Sequence, residues 1–350
     1  MSKSVLVTGA SGFLGSRVVR ALVAAGEPVK AMVRASSSLR ALSGLSSSQV
    51  TVVEGDVRVE HSVYRALAGC DRMIHVAAVN RLWSRDPAEI LDPAIEGTRA
   101  ALTAARKRGV RRVVYTSSVA TLGITSAPEP MTEDHPFNLE APATYIEAKK
   151  KAEEVALSFR HDLEVVAALP SVMLGPGDVK PTPAGEGLLR FLAWDVPLID
   201  FPVTEGGLNY VDVDDVAQGH LLLLARGVPG ERYILGGDNL TYEQLFAMAA
   251  ELTGVGGPGG AVSKGTATLA ATLMELRARL GGPEPPLSAR AARDYAGAYA
   301  YVSSAKAEAL GYQHRPARRA LARGIQWFLE NGYLRDADAK KLRLHLRSPG

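Results

Sequence analysis

Short apolar runs alternate along the chain with stretches of helical spacing. Ser4-Val5-Leu6-Val7-Thr8 predicts a strand, three glycines follow at Gly9, Gly12 and Gly15, and 16–23 then repeats its apolar positions at the helical period. Further runs predict strands at 28–34, 50–57, 72–78, 111–118 and 164–170, and helices at 89–108 and 143–160. Gly109 lies just past the first of these two helices as a stop signal, and Pro93 falls near its first turns, where proline costs least. Six apolar strands alternating with helices argue for an α/β fold with a doubly wound parallel sheet.

Past residue 170 the alternation fails. A loop at 175–183, a short helix at 188–194, a stretch at 208–215 leading into a helix, and a run at 231–235 ending in Gly236-Gly237 come next. A glycine-rich linker at 254–260 precedes an apolar helix at 266–280 and helices at 303–310 and 317–331. This pattern predicts a smaller mixed, mainly helical substrate lobe. The expected division is 1–173 with 209–236 as the dinucleotide-binding Rossmann domain, 174–208 with 237–334 as the lobe, and 335–350 as a basic tail.

Composition sharpens this picture in a few places. A content of 47% hydrophobic and 22% charged residues is that of a globular protein, and 350 residues fit a nucleotide-binding domain plus a lobe. A formal charge of +3 gives no reason to propose nucleic acid. The single cysteine, Cys70, excludes an internal disulfide and suits a reducing compartment. With no leader pattern at Met1 and no apolar run near twenty residues, a cytoplasmic protein without a membrane span is expected.

The glycine turn is where chemistry enters. Glycine tolerates unusual backbone angles and lets a diphosphate approach the N–H groups of the following helix start, so Gly9, Ser11, Gly12, Phe13 and Leu14 are candidate cofactor contacts. The spacing G-x-x-G-x-x-G resembles the short-chain dehydrogenase/reductase superfamily. After the second strand, Val33-Arg34 and three serines precede Arg40 with no acid nearby. A free ribose 2′-hydroxyl calls for a carboxylate there and a 2′-phosphate for cations, so Arg34 and Arg40 favour NADP(H) over NAD(H). The small residues Val76, Ala77 and Ala78 would let a cofactor lie against the backbone, and His75 reads as a core histidine.

Tyr145 and Lys149 stand four apart on one helix face, and Ser118 ends the fifth strand at the edge where parallel sheets bind ligands. A phenol could donate a proton to an oxygen held by Ser118, with the ammonium lowering the phenol pKa from about 10. The order of glycine turn, strand-end serine, Tyr-x-x-x-Lys and a strand ending in Pro170 identifies the chain, to about Leu334, as resembling an extended short-chain dehydrogenase/reductase of the NAD-dependent epimerase/dehydratase family. Val33-Arg34, Tyr115-Thr116-Ser117-Ser118 and 170–176 are similar to dihydroflavonol reductases. Arg81-Leu82-Trp83, 115–123 and 232–237 are similar to hopanoid-associated sugar epimerases.

The resemblance implies Ser118, Tyr145 and Lys149 as catalytic, with Lys149 also holding the nicotinamide ribose. It implies Arg34, Asp56, Val57, 76–78, and Pro170, Ser171, Val172 and Met173 as cofactor contacts. Asp56 serves equally as a cap for a helix beginning near Val59. No metal is expected, and paired helices in the superfamily suggest a possible homodimer. Two positions depart from the family. Ala94 stands where many epimerases carry asparagine, and Leu208 stands where nucleotide-sugar enzymes place a phosphate-holding arginine, a bond worth about 1.5–3 kcal/mol. The aromatic and apolar residues Trp83, Leu174, Phe191, Trp194 and Tyr210 are then expected to line a site for a bulky uncharged small molecule. The leading expectation is an NADPH-dependent ketoreductase. The alternatives are a sugar epimerase or dehydratase that retains NAD, and a non-catalytic dinucleotide sensor.

Overall fold

The computed structural model describes residues 3–79, 81–196, 200–285 and 287–342. The first half runs β1 (Ser4–Thr8), α1 (Phe13–Ala24), β2 (Val29–Val33), β3 (Val50–Glu54), α2 (Glu60–Ala66), β4 (Cys70–His75), α3 (Ala88–Arg108), β5 (Arg112–Thr116), α4 (Thr144–Ser158) and β6 (Glu164–Pro170). The second half continues β7 (Val172–Leu174), α5 (Pro183–Leu192), β8 (Phe201–Thr204), β9 (Gly206–Asp212), α6 (Val213–Arg226), β10 (Arg232–Leu235), β11 (Asp238–Thr241), α7 (Tyr242–Thr253), β12 (Pro258–Val262), α8 (Lys264–Arg279), α9 (Ala289–Tyr295), β13 (Ala298–Ala300), α10 (Ala305–Glu308), α11 (Ala317–Glu330) and α12 (Asp336–Ala339).

Seven strands form one parallel sheet in the order β10-β6-β5-β4-β1-β2-β3. Its inner strands β1, β5 and β6 are largely apolar because both their faces are covered, whereas Thr51, Val52 and Glu54 of the edge strand β3 are exposed. Val5, Val7, Val114 and Val166 pack on one side with α1 and α6. Leu6, Val113, Tyr115 and Val165 pack on the other with α2, α3 and α4. The expected six strands become seven, since 231–235 forms β10 beside β6.

Several expected boundaries move. The strands expected to reach residues 57, 78 and 118 end at Glu54, His75 and Thr116, which leaves Asp56, Val76–Ala78 and Ser118 in loops at the carboxyl edge. The 254–260 linker is partly a strand, because β12 pairs with β8. The short helix expected at 188–194 is α5, capped by Thr182 with Pro183 at its start, and Trp194 lies beyond its end. A small sheet around β9, paired with β11, β13 and β7, joins α5, α7 and α11 over a second core of Phe191, Tyr210, Leu245, Ile325 and Phe328. Between the main sheet and this core, Asp212 is fully buried and ion-paired to Arg323 (2.7 Å) and Arg315 (3.1 Å). Arg323 also reaches Asp214, which is held by Arg17 of α1. Of the basic tail, 335–342 is described and includes α12, and 343–350 lies outside the described residues.

Candidate active site

The three glycines divide their work. Gly9 is in the left-handed region (φ 65°), and a Cβ there would lie 2.8 Å from the Ala77 backbone. A Cβ on Gly15, inside the first turn of α1, would sit 2.1 Å from Gly9 O. Both are needed merely to close strand, turn and helix upon one another. Gly12 is the exposed N-cap of α1, and a Cβ there meets only Gly9 O at 3.2 Å. Beside it the amides of Phe13 and Leu14 belong to the helix start, whose first N–H groups lack intrahelical partners and carry partial positive charge. No acidic side chain occupies that first turn. The loop after β4 is tied to this turn by Thr8, whose Oγ1 accepts the Ala77 amide (3.2 Å) and shares a hydrogen bond with His75 Nδ1 (2.8 Å). Burial pushes the His75 imidazole down to about 4, so it is a neutral core histidine.

Across the carboxyl edge, Tyr145 occupies the first turn of α4 and Lys149 the next. Ser118 begins a short 3₁₀ turn beyond β5, with its Oγ accepting the Ala120 amide (3.2 Å). The Ser118 hydroxyl also lies close enough to the Tyr145 phenol to favour its ionised form. Lys149 is buried, and desolvation lowers it to about 8 although Glu153, one turn further on, pulls it up. Its Nζ donates to Thr116 O (3.3 Å) and Ser117 O (3.5 Å). Glu153 is fixed in turn by Ser117, by Thr121 Oγ1 (3.0 Å) and by an ion pair with Arg232 (3.0 Å). Lys149, expected to lower the phenol pKa, is not among the influences that set Tyr145 in this arrangement. Burial raises Tyr145, and the opposing influence is Ser118. The phenol is therefore protonated at neutral pH, as an unperturbed one also is.

The model of the NAD dependent epimerase/dehydratase family matches residues 5–236, which span the turn, Ser118, Tyr145 and Lys149. The chain belongs to this family. Similar proteins extend over nearly its whole length. A Synechocystis sp. protein carrying the provisional name dihydroflavonol 4-reductase is 34% identical over 96% of this chain and 97% of its own. The sterol demethylase protein B of Methylococcus capsulatus is 33% identical over 94% and 99%. The crystal structure of gox2253 superposes with a TM-score of 0.83 at 36% identity over 95% of this chain and all of that one, and PA4631, a nucleoside-diphosphate-sugar epimerase from Pseudomonas aeruginosa, with 0.75 at 26% over the same shares. As an extended short-chain dehydrogenase/reductase of the epimerase/dehydratase family, the chain is an NAD(P)-dependent enzyme acting on CH–OH or C=O groups.

Not every expected cofactor contact of this family member falls together. Arg34 lies exposed just past β2, near enough to Asp56 to lower its pKa. The larger cause is Arg58, whose guanidinium reaches Asp56 Oδ2 at 2.6 Å. Asp56 accepts the Arg58 amide (2.9 Å) in a local turn and does not cap α2, which starts from Val59 without a side-chain cap. Val57 lies beside α3, where a Cβ on Gly97 would sit 3.5 Å from its Cγ2. Arg40, expected near Arg34, donates instead to Asn331 Oδ1 (2.8 Å) at the end of α11. At the other end of the edge, Pro170 closes β6, Val172 and Met173 are half-buried, and the buried Ser171 Oγ has no hydrogen-bond partner among the described residues. An open Gly12, an uncompensated helix start and an orphaned hydroxyl at Ser171 fit a dinucleotide laid across the edge.

The substrate side differs from expectation. Phe191 is core, its ring 5.0–5.2 Å from those of Phe246 and Phe201, and Tyr210 is buried in β9. Leu174 is buried too, at a small cavity also lined by Phe13 and Met173. Trp194 is half-exposed against Phe201 (5.3 Å), and Trp83 is buried in the loop before α3. These five do not form one wall. Tyr145 and Tyr295, the last residue of α9, pack against the same small cluster of Ala143, Ile146 and Ala291, and Tyr242 at the start of α7 is near enough to Tyr295 to influence its ionisation. Burial raises the Tyr295 and Tyr242 phenols, and each is half-buried. Tyr242 follows a capping box of Thr241 and Gln244, a sequence signal that would have placed it at a helix start.

Proposed function

We propose that this enzyme uses NADPH to reduce a carbonyl on a bulky apolar or aromatic small molecule. The observation carrying the reading is Tyr145 in the first turn of α4 beside Ser118 just past the end of β5, with buried Lys149 one turn behind it, all at the carboxyl edge of the parallel sheet. The Ser118 hydroxyl orients the carbonyl oxygen, and Tyr145 donates its proton to that oxygen as it becomes a hydroxyl. Lys149 holds the ribose hydroxyls and keeps a positive charge behind the phenolate that remains. When bound, the reduced dinucleotide supplies the hydride. Gly12, the α1 start, Ser171 and Arg34 would hold it, and exposed Arg34 just past β2, a strand with no carboxylate of its own although Glu54 and Asp56 stand on the neighbouring segment, supports the 2′-phosphate form.

The names of the dihydroflavonol 4-reductase and sterol demethylase relatives support a polycyclic or aromatic substrate. PA4631 favours a second reading, epimerisation of a nucleotide sugar, against which Leu208 leaves no cation at that point of β9. The test is Tyr145→Phe assayed with NADPH and a panel of aromatic ketones. Turnover falls by about 10²–10⁴-fold, while NADPH binding, followed by fluorescence, persists. Undiminished turnover removes Tyr145 as the acid. Protein that carries stoichiometric NAD and inverts a nucleotide sugar without net NADPH loss establishes the epimerase instead.

A further inference from the structure

Helix α8 is built inside out. Ala271 and Ala278 are its buried side chains, and Glu275, its one carboxylate, turns inward to accept the Ala289 amide (3.1 Å). On the opposite face Leu269, Leu273, Leu276 and the C-cap Leu280, spaced four, three and four, are 61%, 58%, 54% and 81% exposed. Met274 and Leu287 add to the exposed apolar surface. A solvated helix places its leucines inward and its small and polar residues outward, so this face has the composition of one that is covered. Arg277 and Arg279 flank the leucines on either side and Lys264 opens the helix; all three are exposed and have no ion-pair partner among the described residues.

The position matters as much as the composition. α8 packs on α9, whose last residue is Tyr295, packed on the same cluster as Tyr145, and Arg85, two residues past Trp83, donates to Ala278 O (2.8 Å). We propose that α8 is an interfacial helix that seats the enzyme on an anionic lipid bilayer, leucines in the acyl boundary and arginines among the headgroups. A corollary, which rests on the apolar-substrate reading, is that substrate passes from the bilayer to the site beside Tyr145. A second copy of the chain is the competing occupant, since the four-three-four spacing suits a helix pair. Isologous pairing would set the arginines of one copy against those of the other with no outward carboxylate to match them. A helix of 16 residues spans roughly 24 Å, narrow against the roughly 800 Å² per partner of a stable interface. Anionic headgroups complement both the leucines and their cationic flanks.

The experiment compares wild type with Leu273→Glu/Leu276→Glu in co-sedimentation with phosphatidylcholine vesicles, with and without phosphatidylglycerol. Wild type pellets with the phosphatidylglycerol vesicles and is released by salt, and the exposed double variant loses at least about tenfold in apparent affinity. Arg277→Gln/Arg279→Gln loses the preference for phosphatidylglycerol. Melting temperature, NADPH affinity and turnover of a water-soluble ketone stay at wild-type values in both variants, which shows them folded. Wild type remaining in the supernatant at low salt overturns the proposal. So does a wild-type dimer in sedimentation velocity that becomes a monomer in the leucine variant, which assigns the face to a second copy. Vesicle binding with no ketone reduction by any of the proteins sinks the reductase reading and leaves the docking surface standing.

Discussion

The glycine turn and the tyrosine group lie at opposite ends of one chemistry and are built in opposite ways. Gly9 to Leu14 is contiguous, and its shape follows from backbone sterics, with Ala77 against Gly9 and Gly9 O against Gly15. The aromatic group around the proposed acid takes Tyr145 from α4, Tyr242 from α7 and Tyr295 from α9, segments 97 and 53 residues apart, brought near one another by packing. The turn has few solutions because a diphosphate is the same in every family member. On the reading proposed above, the aromatic group is free to vary because its elements need only hold rings near Tyr145, and substrate identity would reside in that freedom.

Substitution within the turn tests this division most severely. Gly15→Ala places a Cβ 2.1 Å from Gly9 O, which only backbone movement relieves, so a stability loss of about 3 kcal/mol or more is expected in thermal unfolding. Gly12→Ala meets one atom at 3.2 Å and should stay within about 1 kcal/mol of wild type. Its cost falls on NADPH, with affinity reduced about tenfold as the methyl keeps the diphosphate from the backbone. If Gly12→Ala melts as early as Gly15→Ala and still binds NADPH normally, the turn is a packing device and the division fails.

The same contrast explains what could be read in advance. Strands β1, β5 and β6 announce themselves because a strand buried on both faces is a near-continuous apolar run, and Tyr145 and Lys149 share a face by helical period alone. Strand β10 is four residues at the sheet edge, and β12 exists only because β8 lies beside Pro258–Val262, so neither carries a local pattern strong enough to declare it. Arg40 looked like a phosphate ligand by proximity in sequence to Arg34, but the loop between them turns it toward Asn331 on a segment almost three hundred residues away. Phe191 was hydrophobic and in the right lobe, and periodicity cannot tell a residue facing Phe246 from one facing a cleft. The tyrosines that do group near Tyr145 needed the lobe to be folded.

Within the aromatic group, Tyr295→Ala sharpens the comparison from the other side. Removing one aromatic ring costs about 1–1.5 kcal/mol of contact, which raises KM for an aromatic ketone by about tenfold. NADPH affinity should not change, because Tyr295 sits at the end of α9 and packs with Ala143, Ile146 and Ala291 rather than the turn. A change in NADPH affinity equal to the change in KM would mean that the two regions are coupled and cannot be treated separately.

The smallest effect is a pH dependence of stability joining the two regions through Lys149. Its ammonium is held at about 8 by burial against 10.5 when exposed, so between these values the unfolded chain binds more protons than the native one. Stability contributed by this residue therefore rises with pH across that window, the reverse of a lysine that gains a partner on folding. The slope cannot exceed about 1.4 kcal/mol per pH unit for a single proton. Burial also raises the Cys70 thiol and several phenols, and these act in the opposite direction at higher pH. The measurement is thus the difference between wild type and Lys149→Met in urea unfolding at pH 8 and pH 9. Wild type should gain on the variant by up to about 1 kcal/mol over that unit. A difference that does not move means the ammonium is solvated in the native protein, and the charge behind Tyr145 is then too well screened to support its phenolate.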